Sequence, residues 1–127
     1  MNINTVTISG NLTRDPELRT SASGTAILRF SVAVNERVKN GGAWEDRPNY
    51  FDCVAFGGTA TYLSERIFRG SKVAVTGRLH WSQWEAKDGS GKRSKVEIFV
   101  EDVELLSQAN EARATVEAVY EDEPLPF

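Results

Sequence analysis

The chain has 127 residues, of which 40% are hydrophobic and 26% charged, with a net charge of −3 at pH 7. That length suits one small domain with an appendage, and no apolar run approaches the roughly 20 residues of a membrane-spanning helix. One cysteine excludes an internal disulfide, and the first residues lack the basic and apolar stretches of a secretory signal, so we expect a protein of the reducing cytoplasm.

The first two strands show as alternating apolar residues. In residues 6–12 the aliphatic side chains and Gly10 share one parity, while threonine, serine and asparagine occupy the other. A turn-prone stretch follows, with Asp15-Pro16 and then residues 21–24, and the alternation returns at residues 26–34. A period of two predicts strands with one buried face.

A third strand is predicted at residues 49–56, after a polar loop that contains Gly41-Gly42 and Trp44. Gly57-Gly58 ends this strand, because two adjacent glycines interrupt regular pairing.

The next segment predicts the one helix of the domain, about ten residues long. Thr59 is a candidate N-cap, Leu63 and Ile67 lie four apart on one face, and Arg69-Gly70 has the residue types at which helices end.

A long hairpin closes the pattern. Strand four runs from Val73 to Trp84, residues 88–91 supply the glycines of a hairpin tip, and strand five covers residues 96–100. The order predicts a mainly β domain at residues 1–106: a five-stranded oligonucleotide-binding (OB) barrel with one short helix between strands three and four. A β-sandwich is the alternative, although one mid-chain helix suits it poorly.

The C-terminal residues form an acidic tail. Residues 107–127 carry five acids and one arginine, a net charge of −4, so the rest of the chain is about +1. We predict a short linker at residues 107–120 and a partner-binding tip at residues 121–127. The tip residues that would enter a partner's basic-rimmed apolar pocket are Asp122, Glu123, Pro124, Leu125, Pro126 and Phe127. The alternative is an ordinary frayed terminus.

The strand faces opposite the aliphatic residues are aromatic and basic. Single-stranded nucleic acid offers a charged backbone and flat bases, and cations with aromatic rings grip both without reading sequence. The candidate contacts on strands are Trp84, Phe56, Tyr50, Trp81, Arg29, Arg78 and His80, and those on predicted loops are Trp44, Arg37, Lys39, Lys87, Lys92 and Arg93.

Each aromatic residue also has a purely structural interpretation. Phe30, Phe68 and Phe99 are expected in the core or in subunit contacts. Tyr50 and Phe56 lie on a strand of ambiguous parity, and Trp44 either stacks on bases or braces its loop. Trp81 has core parity but comes late enough in its strand to emerge from the barrel.

Several ordered segments resemble the bacterial-type single-stranded DNA-binding protein family. They are VTISGNLTRDPELR at residues 6–19, FSVAV at 30–34, DCVAFG at 52–57, RGSKV at 69–73, GRL at 77–79 and the acidic tip. The likeness covers residues 3–106 and 121–127.

The resemblance implies an OB barrel that assembles as a homotetramer and binds single-stranded DNA without catalysis or a cofactor. Trp84 and Phe56 match positions where the family stacks bases, Tyr50 one where it often has another aromatic, and Arg69 a basic position near the helix end. The tip would recruit replication, recombination and repair proteins, in the cytoplasm at the nucleoid.

The chain departs from the family at several positions. Val38 lies near a position where some members have tryptophan, Asp52 puts an acid on the expected binding face, and Ser82 and Gln83 replace cations of some relatives. We therefore expect weaker or more salt-sensitive binding. Residues 107–120 also lack the glycines and prolines of a long flexible linker.

Three other functions are alternatives. An enzyme would need a site that the sequence hardly supplies, because His80 is the one histidine, Cys53 stands alone and no P-loop or nucleophile-elbow motif occurs. The sequence also has no metal-ligand cluster of the usual spacing. A protein-interaction barrel explains the paired aromatics and cations poorly, and RNA remains an alternative ligand because stacking does not sense the 2′-hydroxyl.

Overall fold

Six β-strands and one α-helix make up residues 1–107, the part of the chain that the computed structural model describes. The elements are β1 (Val6–Leu12), β2 (Glu17–Thr20), β3 (Ala26–Asn40), β4 (Ala43–Phe56), α1 (Gly57–Ser64), β5 (Lys72–Glu85) and β6 (Lys92–Ser107). The predicted linker beyond Ser107 and the predicted tip at residues 121–127 lie outside the described residues. No helix within residues 1–107 is long and apolar enough to cross a membrane.

Five of the strands form a closed ring in the order β1-β5-β6-β4-β3. The ring closes where β1 turns from β5 to β3 and pairs Asn11 with Ala33 and Leu12 with Val32. Only β4 and β6 run parallel; the other neighbours are antiparallel. The mainly β, OB-type fold with one helix before the fourth ring strand is therefore confirmed.

Alternating aliphatic residues fill the inside of the ring, as the period of two predicts. The buried core consists of Leu12, Leu28, Phe30, Val32, Cys53, Ala55, Ala60, Leu63, Ile67, Val73, Val75 and Ile98. Phe30 is thus a core residue, as expected. Phe68 is nearly half exposed in the single chain, so of its two expected places, the core and a subunit contact, the core does not apply and the subunit contact stays a prediction.

The sixth strand, β2, was not predicted. All four of its residues are exposed, and it pairs only with β3, placing Leu18 opposite Leu28. The segment forms by backbone hydrogen bonding at the sheet edge and buries nothing, so it leaves no apolar alternation in the sequence. Because turn-forming residues flank this short strand on both sides, the whole segment was predicted as a turn.

The predicted loop at Gly41-Gly42 is instead a two-residue turn between long strands. Both glycines have positive φ, 60° and 87°, which is the conformation that a tight antiparallel hairpin requires. The β3–β4 ladder therefore continues to the pair Asn40 and Ala43. The outer half of this ladder extends beyond the core, so it has polar residues on both faces. Its sequence therefore lacks the alternation of a half-buried strand and was predicted as a loop.

Helix α1 starts two residues before the predicted cap. Its N-cap position is Phe56, without a side-chain hydrogen bond, so the prediction that Thr59 caps the helix is wrong. Gly57, with φ of 64°, lets the chain turn directly from β4 into the helix. Leu63 and Ile67 are both buried as predicted, joined by a hydrogen bond from the Ile67 N–H to the Leu63 carbonyl at 3.0 Å.

Candidate nucleic-acid interface

The β5–β6 hairpin has one polar and aromatic face. The register pairs Trp84 with Arg93, Ser82 with Lys95, His80 with Glu97, and Arg78 with Phe99. Successive residues of a strand point to opposite sides, so these side chains share a face. It is the face opposite Val75 and Ile98, which are buried in the core. The predicted parity of the fourth ring strand is therefore correct.

The same face continues across β4 and β3. Phe99 lies beside Val54 in the parallel β4–β6 pair, and Val54 lies opposite Arg29 in the β3–β4 pair. Tyr50 and Phe56 have the parity of Val54. We call this four-stranded surface the outer face; it comprises Arg29, Tyr50, Asp52, Val54, Phe56, Arg78, His80, Ser82, Trp84, Arg93, Lys95, Glu97 and Phe99.

Three aromatic rings of the outer face are open to a ligand. Trp84 is 45% exposed, Tyr50 65% and Phe56 41%. The Lys95 ammonium lies 6.0 Å from the Trp84 ring centroid, so that tryptophan already has a cation beside it. Rings on regular strands are held in place, which lowers the entropy lost when a base stacks on them.

Phe99 supports two of the other side chains. Its ring packs edge-on against Phe56 with centroids 5.1 Å apart, and His80 stacks on it at 4.0 Å with an interplanar angle of 15°. The Arg78 guanidinium lies 5.7 Å from the same ring. Phe99 is therefore not part of the core cluster, and the alternative expectation, a subunit contact, stays a prediction. The sequence did contain a signal for this position: Phe99 follows Ile98, which points into the core, and successive strand residues point to opposite sides.

The centre of the outer face contains a buried carboxylate between two cations. Glu97 Oε2 accepts a hydrogen bond from Arg29 Nη1 at 2.6 Å and lies 3.3 Å from Lys95 Nζ. The Glu97 side chain is only 7% exposed, whereas those of Arg29 and Lys95 are about half exposed. Lys95 and Glu97 were not identified as site residues from the sequence, because the last strand was predicted to begin at residue 96. The strand begins at Lys92, and from there Arg93, Lys95 and Glu97 alternate on one face.

The β3–β4 hairpin carries a second basic and aromatic group. Lys39 pairs with Trp44, and by strand parity both lie on the side of Arg29 and Tyr50. The Arg37 guanidinium and the Lys39 ammonium lie 5.7 and 6.0 Å from the Trp44 ring. Their assignment to a loop was wrong, because all three residues belong to paired strands. The structure thus puts Arg37, Lys39 and Trp44 on an extension of the outer face.

The remaining predicted contacts are more scattered. Trp81 is exposed but has the parity opposite to Trp84, so it lies on the reverse side of the β5–β6 hairpin. Lys87 lies in the hairpin turn, while Lys92 begins β6 and Arg93 follows it, which corrects the loop assignment of those two. Arg69 is exposed beyond the helix, and its backbone N–H donates to Asp15 Oδ1 at 2.8 Å.

Cys53 is buried directly beside the outer face. Burial, with a smaller contribution from the negative charge of the neighbouring Asp52, raises the pKa of the thiol from 9.0 to about 12. The thiol is therefore neutral at physiological pH and serves as a small core residue. Asp52 itself is exposed opposite Ser31, so the outer face does carry the acid that the sequence predicted.

The outer face carries shallow, open clefts. One of about 160 Å³ is lined by Arg14, Arg29, Phe30, Asp52, Cys53, Lys95 and Glu97, and its walls are mostly charged. Within residues 1–107 no three histidine, cysteine or carboxylate side chains come together as metal ligands would. An open sheet of half-exposed rings and cations fits an extended polyanion with flat groups better than it fits a small enclosed ligand.

Comparisons with known proteins agree with this description. Residues 3–106 match the model of the single-strand binding protein family. The chain is 44% identical over 108 residues to the single-stranded DNA-binding protein of Borreliella burgdorferi, covering 85% of this chain and 72% of the relative. It is 44% identical over 104 residues to that of Treponema pallidum, covering 82% and 58%, and 38% identical over 125 residues to that of Aquifex aeolicus, covering 98% and 82%.

The chain thus spans between about three fifths and four fifths of the length of these relatives. Their names describe DNA-binding proteins and not enzymes, in agreement with the expectation that the chain is not a catalyst.

Proposed function

The chain belongs to the single-strand binding protein family, and we propose that it binds single-stranded DNA without sequence preference through base stacking and phosphate contacts. The observation that carries this proposal is the strand register, which puts exposed aromatic rings and cations on one continuous face. The rings are Tyr50, Phe56 and Trp84, with Trp44 on the hairpin extension, and the cations include Arg29, Arg78, Arg93 and Lys95.

Stacking supplies most of the affinity in this proposal. Each base stacked on an aromatic side chain contributes on the order of 1–3 kcal/mol, and every base has a π-face. Four exposed rings therefore suffice for useful affinity without hydrogen bonds to base edges. Tolerance of any sequence follows from the same physics.

Phosphate contacts add a salt-dependent term. Each phosphate neutralised on a single strand contributes a slope of about −0.7 to the dependence of log K on log salt. The half-exposed guanidinium and ammonium groups of the outer face are placed to make such contacts between stacked bases. Asp52, on the same face, repels phosphate and supports the expectation of weaker binding.

A competition assay tests the ligand class. A labelled mixed-sequence oligonucleotide is bound first, and unlabelled oligo(dT), oligo(dA), RNA and duplex DNA are then added. The proposal predicts that single-stranded DNA of any sequence competes within about tenfold of any other, and that duplex competes at least a hundredfold less well. The proposal is contradicted if duplex DNA competes equally well or if one sequence competes far better than the others. If RNA competes better than DNA, the ligand is RNA.

Recruitment of other proteins by the tip is a second part of the proposal. Three acids precede Pro124, and two prolines keep Leu125 and Phe127 from joining a helix or central strand. A single buried aromatic often dominates a small interface. Deleting residues 121–127 should abolish binding of purified replication, recombination or repair proteins and leave affinity for the single strand within about twofold. Unchanged protein binding would contradict this part.

Self-association into a homotetramer is a third part. Within the described residues, β1 pairs with β3 only at Asn11 and Leu12, so most of one β1 edge has no strand beside it. An unpaired edge is a template for another chain. Light scattering of the purified protein should give four times the mass of one chain; a monomer at micromolar concentration would contradict it. We place this activity in the cytoplasm at the nucleoid.

A further inference from the structure

We propose that Glu97 is a built-in competitor of DNA phosphate: it occupies Arg29 and Lys95 and so lowers both the affinity for single-stranded DNA and its salt dependence. The inference rests on the proposed function. In the proposed function, aromatic rings stack on bases and cations contact phosphates. The inference adds a third role, in which an acid of the outer face weakens binding.

The geometry singles out this carboxylate. One oxygen, Oε2, serves both cations, at 2.6 Å from Arg29 Nη1 and 3.3 Å from Lys95 Nζ. The Glu97 side chain is 7% exposed, so it cannot turn into solvent when a ligand arrives. A buried carboxylate paired with two cations stays in place, since separating it from them would leave a buried charge unpaired.

The two cations face the ligand while they hold the acid. Arg29 is 50% exposed and Lys95 43% exposed on the side chain, and the guanidinium retains donors beyond the one used for Glu97. Two cations that share one carboxylate have one net charge between them. They therefore neutralise about one phosphate together, and would neutralise two if the carboxylate were absent.

The other charged groups of the cleft do not replace Glu97 in this role. Arg14 adds a third cation and Asp52 a second acid to the lining. Asp52 is exposed to water and makes no ion pair within the described residues, so solvent screens it more strongly. Glu97 alone is both buried and in contact with the cations.

The test compares Glu97→Gln with the unchanged protein, using a single-stranded oligonucleotide of about eight nucleotides, within the range that one OB fold covers. The amide oxygen still accepts from Arg29, so the variant changes charge with little change of shape. We expect a steeper salt dependence, by about 0.7 in slope, because one more phosphate is neutralised. Affinity should rise about fourfold near 50 mM salt, the effect of one unit charge at about 5 Å in water.

The gain should shrink by about 2.6-fold when salt is raised from about 50 to 200 mM, as the slope difference requires. Glu104→Gln is the matched control, because it removes the same charge from an exposed position of the same strand, seven residues away. That distance along a strand is roughly 23 Å, well beyond the screening length at these salt concentrations. We expect no change of slope in the control.

If Glu97→Gln alone does not fold, a second pair of variants tests the proposal. Arg29→Gln alone should flatten the slope by about 0.7, and Arg29→Gln with Glu97→Gln should restore the original slope. Removing both ends of the ion pair leaves no buried charge unpaired.

Equal slopes for Glu97→Gln and the unchanged protein would overturn the proposal, as would weaker binding by the variant. A double variant as flat as Arg29→Gln would also overturn it. If the unchanged protein binds the oligonucleotide with a salt-dependent affinity, these failures concern Glu97 alone. If it does not bind, the proposed function and this inference fall together.

Discussion

At the scale of single residues, Phe99 sets the geometry of the outer face. Its own ring is half buried, yet Phe56 packs on it edge-on and His80 lies flat against it. A stacking surface requires rings that are already in position, because immobilising a free side chain on binding reduces affinity. Phe99 therefore acts as a positioning residue for Phe56, whose exposed side remains free for a base.

Trp84→Ala should weaken binding of single-stranded DNA by about 1–3 kcal/mol, since one base loses its stacking partner. Fluorescence anisotropy with a labelled oligonucleotide measures the loss directly. Tyr62→Ala is the control, because Tyr62 is an even more exposed aromatic that lies on α1, packs against Arg66 and is not part of the outer face. Equal losses in both variants would mean that stacking on Trp84 is not the cause.

Cys53 gives a prediction about stability and pH. The folded pKa of about 12 lies above the ordinary value of 9.0, so the thiol ionises first in the unfolded chain. The associated stability is fully present below pH 9 and is lost as the pH rises towards 12. Between about pH 8 and 10 the unchanged protein should lose about 1.4 kcal/mol more stability than Cys53→Ala.

Urea denaturation at the two pH values measures this difference. The two proteins differ only at residue 53, so effects of pH on the rest of the chain cancel in the comparison. Identical losses in the two proteins would show that the folded thiol ionises as readily as the unfolded one.

At the scale of elements, the two long hairpins decide how far the face extends. The β3–β4 and β5–β6 ladders both run beyond the buried core, where neither side is covered. Strand parity predicted the faces of β1, β3 and β5 because one side of each is buried. It failed for the start of β4 and of β6, where polar residues on both sides resemble a loop, and for β2, which buries nothing.

Two strand glycines lie where the backbones of neighbouring strands approach each other closely. A Cβ at Gly77 would collide with the Phe99 carbonyl, beside the bulge where β5 and β6 change register, and one at Gly10 would collide with the Ala33 carbonyl. The sequence alone showed these glycines only as members of the inward parity. The backbone that each glycine approaches belongs to a strand distant in sequence. A local sequence pattern cannot identify that strand, because the contact forms only when the ring closes.

Gly77→Ala should destabilise the fold by about 1–3 kcal/mol, because backbone rather than a flexible side chain must move. Gly58→Ala is the control: it lies in α1 with nothing within 4 Å of the added methyl group, and alanine favours a helix. Thermal unfolding of both variants should show a loss for the first and no loss for the second. A stable Gly77→Ala variant would contradict the close approach of β5 and β6.

At the scale of the whole molecule, ring closure turns residues distant in sequence into one surface. Arg29, Phe56 and Trp84 come from three strands, and the parallel β4–β6 contact joins them. The sequence predicted the order of elements and most of the exposed aromatic residues. It could not predict the Glu97 ion pairs, since they depend on which strands become neighbours around the ring.

The most direct test of single-strand binding is intrinsic tryptophan fluorescence during titration with a long oligo(dT), repeated at several salt concentrations and with duplex DNA. Trp44 and Trp84 are exposed beside cations on the proposed interface, so stacked bases should quench their emission. We predict strong quenching by the single strand, a weak response to duplex and a midpoint that rises with salt. Absence of quenching by oligo(dT) at low salt would contradict stacking-based binding.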